Sequence, residues 1–152
     1  MKILMAERED LGQILKLQYL AYQSEAKLLD NFSIPPLKQT IEEVIGEYEK
    51  GIFLKAIDEQ ESIIGSVRAY IENGTVYIGK LIVYPNRQGQ GIGTKLLLTI
   101  EKECIAPRYE LFTSNRSIRN IELYERLGYV RFQEEIIGKL TLVYLEKEIG
   151  QI

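Results

Sequence analysis

The 152-residue sequence contains no histidine, and its one cysteine is Cys104. Without histidine, the chain cannot form a Ser-His-Asp triad, a Cys-His pair or an imidazole metal site. A single cysteine also excludes an internal disulfide and a zinc knuckle, and such scarcity is typical of a reducing compartment. If this chain is an enzyme, we expect no metal, and proton transfer falls to Asp, Glu, Tyr, Lys, Cys or water.

Long apolar runs and excess positive charge are also missing. No run approaches the ~18 residues that a membrane span needs, and the opening "MKILMAERED" turns acidic too soon for a signal peptide. A net charge of −3 argues against nucleic acid as the main partner, because phosphate binding favours a basic face. With 45% hydrophobic and 27% charged residues, we expect one cytoplasmic globular domain over residues 1–152, with no membrane partner.

Four helices are predicted from apolar residues at helical spacing. The first begins at Leu11 with Asp10 as its N-cap, and the second opens with a capping box of Thr40 and Glu43. The segment 28–37 between them is predicted to be a loop, because two adjacent prolines interrupt a helix. The other two predicted helices cover residues 92–104 and 117–128.

Seven strands are predicted from apolar residues that alternate with a period of two. Asn73-Gly74 between two of them is a strong hairpin signal. The fourth strand, the third helix and the fifth strand form one right-handed parallel crossover. The fold class is therefore mixed α/β, with a mostly antiparallel, α+β-like sheet. The predicted strands are Lys2–Ala6, Ile52–Ile57, Ile63–Ile71, Thr75–Tyr84, Tyr109–Thr113 and one on either side of Gly138-Lys139.

Three glycines lie within five residues of "VYPNRQGQGIGTKLLLTIE", between the fourth strand and the third helix. A dinucleotide fingerprint has the different spacing G-x-G-x-x-G, and a P-loop needs Gly-Lys-Ser/Thr where this chain has Gly93-Thr94-Lys95. Bare backbone amides at a helix N-terminus bind anions. With Gln88 ahead of Gly89, Gly91 and Gly93, the loop predicts a phosphate site rather than a simple turn.

The same stretch resembles the GNAT superfamily of acyl-CoA-dependent N-acyltransferases. Residues Gln88–Gly93 match its Q/R-x-x-G-x-G/A signature, and "LIVYP" (Leu81–Pro85) resembles its L-x-V-x-P strand ending. "NIELYERLGYV" (Asn120–Val130) resembles its closing N-x-x-x-Y-x-x-x-G-F/Y segment. The predicted order of elements is also that of the family. The resemblance implies a splayed parallel pair formed by the fourth and fifth strands.

The resemblance implies acetyl-CoA as co-substrate. Loop amides would hold its pyrophosphate, and backbone groups at the end of the fourth strand would pair with the pantetheine arm in the gap between the splayed strands. The residues implied to bind it are Leu81, Ile82, Val83, Gln88, Gly89, Gln90, Gly91, Ile92, Gly93, Thr94 and Asn120.

The resemblance also implies direct transfer of an acetyl group to a primary amine, without a covalent acyl-enzyme. Tyr124 matches the family tyrosine that protonates the leaving thiolate, and a phenol of pKa ≈ 10 is protonated at neutral pH. Many members carry a glutamate base on the fourth strand, at positions that fall here on Tyr77 and Gly79.

No general base therefore transfers by position. The candidates outside the motif are Glu25, Asp30 and Glu72. A chain of waters, or an amine that arrives neutral, would serve as well.

The resemblance implies that the acceptor contacts segment 28–37, where Leu29 and Phe32 offer apolar contact. It is a small-molecule or peptide amine whose identity stays open. A non-catalytic acyl-CoA sensor and a nucleotide-binding module are the alternatives. The segment Leu140–Glu148, apolar on both faces, suggests a covered sheet edge and hence a possible homodimer.

Overall fold

A computed structural model of the chain describes residues 1–149; residues 150–152, the end of the predicted domain, lie outside the described part. Its five helices are α1 (Leu11–Leu29), α2 (Pro35–Lys38), α3 (Ile41–Lys50), α4 (Ile92–Glu103) and α5 (Ile118–Arg126). Its seven strands are β1 (Lys2–Met5), β2 (Ile52–Ile57), β3 (Ile63–Glu72), β4 (Thr75–Val83), β5 (Arg108–Ser114), β6 (Val130–Ile137) and β7 (Leu140–Glu148). The predicted fold class is confirmed, and the order of elements is the predicted one except for the added single-turn helix α2.

The strands form one sheet in the order β1-β2-β3-β4-β5-β7-β6, in which only β4 and β5 run parallel. Asn73 and Gly74 both have left-handed backbones, with φ of 51° and 79°, as a tight hairpin turn requires. Strand β7 lies between β5 and β6, so this chain itself covers both of its edges. The pattern that suggested a second subunit therefore has an explanation within the chain, and the homodimer stays a prediction.

Two apolar clusters cover opposite faces of the sheet. Phe53 packs with residues of α1 and α3, whereas the adjacent Leu54 belongs to the cluster formed with α4 and α5. Successive strand residues point to opposite faces, which separates the two helix pairs. The predicted stripe on α4 is buried throughout and consists of Ile92, Leu96, Leu97, Ile100 and Cys104.

The two N-terminal helices begin differently. The capping box predicted for Thr40 and Glu43 is present at α3. Asp10 precedes α1 as predicted, but its side chain does not cap that helix. A 3₁₀ turn leads into the helix, so Asp10 already has helical backbone angles; its carboxylate accepts hydrogen bonds from the Glu7 amide at 2.8 Å and the Lys55 ammonium at 2.7 Å.

The segment 28–37 is only partly the loop that the prolines predicted. Helix α1 continues through Leu29 and ends at Asp30, whose backbone is left-handed with φ of 50°. Pro35 and Pro36 begin the single turn α2 instead of preventing a helix. The first helical positions have no use for their N–H groups, so proline is tolerated there.

Candidate functional site

A cleft of about 860 Å³ opens where β4 and β5 separate. The two strands pair only from Thr75–Tyr77 to Arg108–Glu110, and β4 continues from there without β5 as a neighbour. The second half of α1, the loop before α4 and the helix α5 supply the other walls. The backbone of β4 therefore faces a cavity along residues 78–83 instead of a neighbouring strand.

A bulge bends β4 in the middle of this cleft. Ser66 of β3 pairs with Ile82, whereas Arg68 pairs with Gly79, so β4 uses one residue more than β3 across this interval. The backbone of Lys80 is left-handed there, with φ of 51°. Bulges redirect a strand beside functional sites, and this one falls where Lys80 and Leu81 line the cleft.

The glycine loop closes one end of the cleft. Gly89 and Gly91 have left-handed backbones with φ of 80° and 81°, and a Cβ on either would meet no protein atom within 4 Å. Gly91 directly precedes α4 and offers no side-chain cap, so the first amides of this helix have no acceptor within it. These amides and the positive end of the helix dipole favour an anion at this place.

Most of the residues predicted to bind the cofactor line this one cleft. Leu81 and Val83 also pack against the core with half-buried side chains, and Ile82 is buried. Gln90 is exposed in the same turn, outside the lining residues. The lining members of the predicted set are Leu81, Ile82, Val83, Gln88, Gly89, Gly91, Ile92, Gly93, Thr94 and Asn120.

Helix α5 carries Tyr124 and Asn120 into the opposite wall of the cleft. Tyr124 is 6% exposed, and its ring centre lies 6.2 Å from that of Tyr129. Burial, and then the negative charge of Glu25, raise the pKa of the Tyr124 hydroxyl above its ordinary value. The Asn120 amide donates to Thr113 Oγ1 at 3.4 Å, which ties α5 to the end of β5.

The three carboxylates considered as general base lie in different surroundings. Glu25 lines the cleft from α1, and Ser117 Oγ donates to its carboxylate at 2.7 Å. Its charge also raises the pKa of Tyr22 and Tyr124, which both line the cleft. Asp30 and Glu72 are exposed and outside the lining residues, at the ends of α1 and β3.

The two residues predicted to contact the acceptor are not equivalent. Leu29 lies at the end of α1 and lines the cleft. Phe32 is 55% exposed and does not line it. The guanidinium of Arg116 donates to the carbonyl of Leu28 at 2.9 Å, so the segment after β5 is fastened to the end of α1 across the cleft.

Comparison with known proteins identifies the family. Residues 11–129 match the acetyltransferase (GNAT) family. The chain belongs to this family. The S-(2-succino)cysteine N-acetyltransferase of Bacillus subtilis is 37% identical over 82 residues, which are 50% of each protein, so the match spans about half of that relative.

Solved structures share the fold over nearly the whole chain. The PaiA N-acetyltransferase of Thermoplasma acidophilum, in complex with coenzyme A, has a TM-score of 0.79 at 18% identity, covering 98% of this chain and 100% of that one. An acetyltransferase of Salmonella typhimurium, with acetyl-CoA, has a TM-score of 0.77 at 18% identity, covering 100% and 95%.

Two further observations on this GNAT chain concern metal-binding groups and membrane-spanning helices. Within residues 1–149, no group of three or more Asp, Glu or Cys side chains is arranged to hold a metal ion. No helix in the same range has both the length and the apolar character for crossing a membrane.

Sequence reasoning missed several lining residues of this family member. Tyr22, Lys80 and Ser117 line the cleft but were not singled out as site residues. Lys80 lies at a bulge of β4, and Ser117 contacts Glu25 of a distant helix; no local pattern reveals either. Near Lys80, the sequence showed only that Tyr77 and Gly79 stand where many family members carry a glutamate.

Proposed function

We propose that the chain is an N-acetyltransferase that moves the acetyl group of acetyl-CoA directly to a primary amine. The observation that carries the proposal is the cleft between β4 and β5 with the glycine loop at its end. An extended chain with amide groups can pair with the open β4 backbone, and phosphates can accept from the amides of the loop.

The electrostatics of the cleft fit an anionic nucleotide at this end. Arg116 and Arg119 line it at the start of α5, and Arg87, which pairs with Asp58 at 3.1 Å, lines it beside the glycine loop. Open space at Gly89 and Gly91 allows a phosphate to approach the backbone. Bound acetyl-CoA would supply the activated thioester, and the protein supplies the orientation and the proton transfers.

Tyr124 and Glu25 are suited to opposite proton transfers. The raised pKa of Tyr124 keeps its hydroxyl protonated, so it can donate to the departing thiolate. The carboxylate of Glu25, oriented by the Ser117 hydroxyl, can accept a proton from the amine. The C–N bond forms as the C–S bond breaks; Glu25 accepts the proton that the amine loses, and Tyr124 donates the proton that the thiolate gains.

We expect Glu25→Gln to lower kcat by about 100-fold, the lower end of the range for general acid–base catalysis. The amide keeps the size of the side chain and can still accept from Ser117, so the Kd of CoA should stay near the wild-type value. Asp30→Asn is the matched control, since it removes an exposed carboxylate at the end of the same helix. An unchanged kcat for Glu25→Gln would favour water or an amine that arrives neutral.

We expect Leu29→Ser to raise the KM of the acceptor several-fold and to leave the KM of acetyl-CoA nearly unchanged. Losing a buried apolar contact costs roughly 1–3 kcal/mol, and the two substrates are proposed to contact different elements. Phe32→Ser is the comparison, because Phe32 is exposed in the same segment. Equal changes in both constants would contradict this division.

The direct test of the function is thiol release from acetyl-CoA over a panel of primary amines. S-(2-succino)cysteine belongs in the panel, because a relative is named for acetylating it. Amine-dependent thiol release with an acetylated product is expected. A sensor would bind acetyl-CoA without turnover, and a nucleotide module would bind ATP or NAD but not CoA.

A further inference from the structure

Lys80 brings a positive charge to the lining of the cleft. Its side chain is half-buried, and it lines the cleft at the bulge of β4. It forms no ion pair with any carboxylate of residues 1–149. A partly desolvated charge is unfavourable unless a partner compensates it, so a ligand is the natural source of the missing anion.

A second cation lies on the neighbouring strand, because Arg68 of β3 pairs with Gly79, the residue before Lys80. Arg68 is 6% exposed and donates to the carboxylate of Glu47 at 2.7 Å and to the amide oxygen of Gln18 at 2.8 Å. Its Nε is buried without a partner among residues 1–149. Burial and the neighbouring Arg68 lower the pKa of Lys80, while the charge of Glu47 opposes this. Within the described part of the chain, Glu47 is therefore the one carboxylate that offsets the charges of both Lys80 and Arg68.

The backbone at this position is unfavourable as well. Lys80 has φ of 51°, a left-handed conformation that costs free energy for a residue with a Cβ. The adjacent Gly79, which would adopt it easily, is not among the residues with positive φ. Strain of this kind persists where the surrounding structure and a functional requirement hold it in place.

We propose that the acceptor is a small amino carboxylic acid and that its carboxylate binds to the ammonium of Lys80, with Arg68 nearby on the neighbouring strand β3. This inference rests on the proposed acetyl transfer. Tyr22, Glu25 and Lys80 line the same cleft. The amine of such an acceptor would face Glu25 while its carboxylate faces Lys80.

The phosphates of acetyl-CoA are the less suitable anion for Lys80. The glycine loop and the first turn of α4 lie beyond the end of β4, on the face that α4 covers. Arg68, which pairs with Gly79 next to Lys80, bonds instead to Gln18 of α1 and Glu47 of α3, which cover the other face. Lys80 is therefore associated with the acceptor side.

Matched pairs of acceptors test the proposal. Each pair contains an amino acid and the amine that lacks its carboxylate, such as phenylalanine with phenethylamine and leucine with isopentylamine. For at least one pair, wild-type kcat/KM should be about 10- to 100-fold higher for the amino acid, the range expected from a hydrogen bond to a charged group. Equal kcat/KM values within every pair would overturn the proposal.

Lys80→Met assigns the preference to this residue. Methionine is an unbranched side chain one atom shorter than lysine, so it keeps most of the apolar stem and the backbone strain but removes the charge. The ratio within a pair should fall towards one, mainly through the KM of the amino acid, and Lys80→Arg should restore part of it. Lys102→Met, on the exposed end of α4, is the control and should keep the wild-type ratio. Equal losses for both members of a pair, or a weakened Kd for CoA, would also overturn the proposal.

Binding provides a readout that does not need turnover. The same pairs are titrated calorimetrically into the protein loaded with CoA. Amino acids should bind more tightly than their decarboxylated partners, and Lys80→Met should remove the difference. If the wild type shows this binding without acetylating any amine, the proposed function fails and the carboxylate site stands. If it acetylates amines of both kinds equally, the carboxylate site fails and the function stands.

Discussion

Gly91→Val is expected to weaken CoA binding by about 100-fold or more. Several backbone hydrogen bonds to an anion are at stake, each worth about 1.5–3 kcal/mol, and a tenfold change in Kd corresponds to about 1.4 kcal/mol. A Cβ at Gly91 meets no protein atom, so the added branch would extend into the space before the first amides of α4. Calorimetric titration of CoA into the folded variant measures the effect.

The variant will also lose stability, because Gly91 has φ of 81° and a left-handed backbone costs a side-chain-bearing residue about 1–2 kcal/mol. Gly138→Val is the matched control. Gly138 has φ of 62°, its Cβ would also meet nothing, and it lies between β6 and β7, outside the lining of the cleft. The Tm of both variants should fall by a similar amount, and only Gly91→Val should lose affinity for CoA. Equal affinity for CoA in the two variants would show that the glycine loop is not part of the cofactor site.

Local signals in the sequence predicted the fold because each acts over a few residues. The capping box of Thr40 and Glu43 and the left-handed turn at Asn73-Gly74 involve only near neighbours, so the pattern and the structure agree. The errors at Asp10 and Pro35 are local too. In both cases the residue type correctly marked a helix boundary, but the sequence did not show which position of the first turn the residue occupies.

The sequence predicted the part of the cleft whose residues lie in one continuous segment, and not the parts built from distant segments. Gly89, Gly91 and Gly93 lie within five residues at the start of α4, so their spacing, with Gln88 ahead of them, indicated an anion site. Glu25 and Ser117 are 92 residues apart, and their contact joins α1 to the start of α5 only in the folded chain. The bulge at Lys80 depends on the register between β3 and β4, which apolar alternation does not determine to the residue.

Tyr124→Phe is expected to lower kcat by about 10²–10⁴-fold, the usual contribution of a general acid, and to leave the Kd of CoA close to that of the wild type. The ring stays in place against Tyr129, and only one hydroxyl is lost, so the fold should tolerate the change. Thiol release at saturating acetyl-CoA and amine gives kcat, and calorimetry gives the Kd. A loss at the lower end is expected if water replaces part of the proton transfer.

The pH profile separates catalysis by Tyr124 from packing. Burial, and then the charge of Glu25, raise the pKa of Tyr124 above the ordinary value of about 10, so its hydroxyl keeps its proton through the neutral and mildly alkaline range. Loss of this acid should therefore lower the kcat profile at every pH below about 10 without changing its shape there. Tyr129→Phe is the control: its hydroxyl donates to Glu101 at 2.7 Å, so its loss should lower Tm and leave kcat nearly unchanged. If Tyr124→Phe retains full kcat with every amine that the wild type accepts, Tyr124 is a packing residue and the thiolate receives its proton elsewhere.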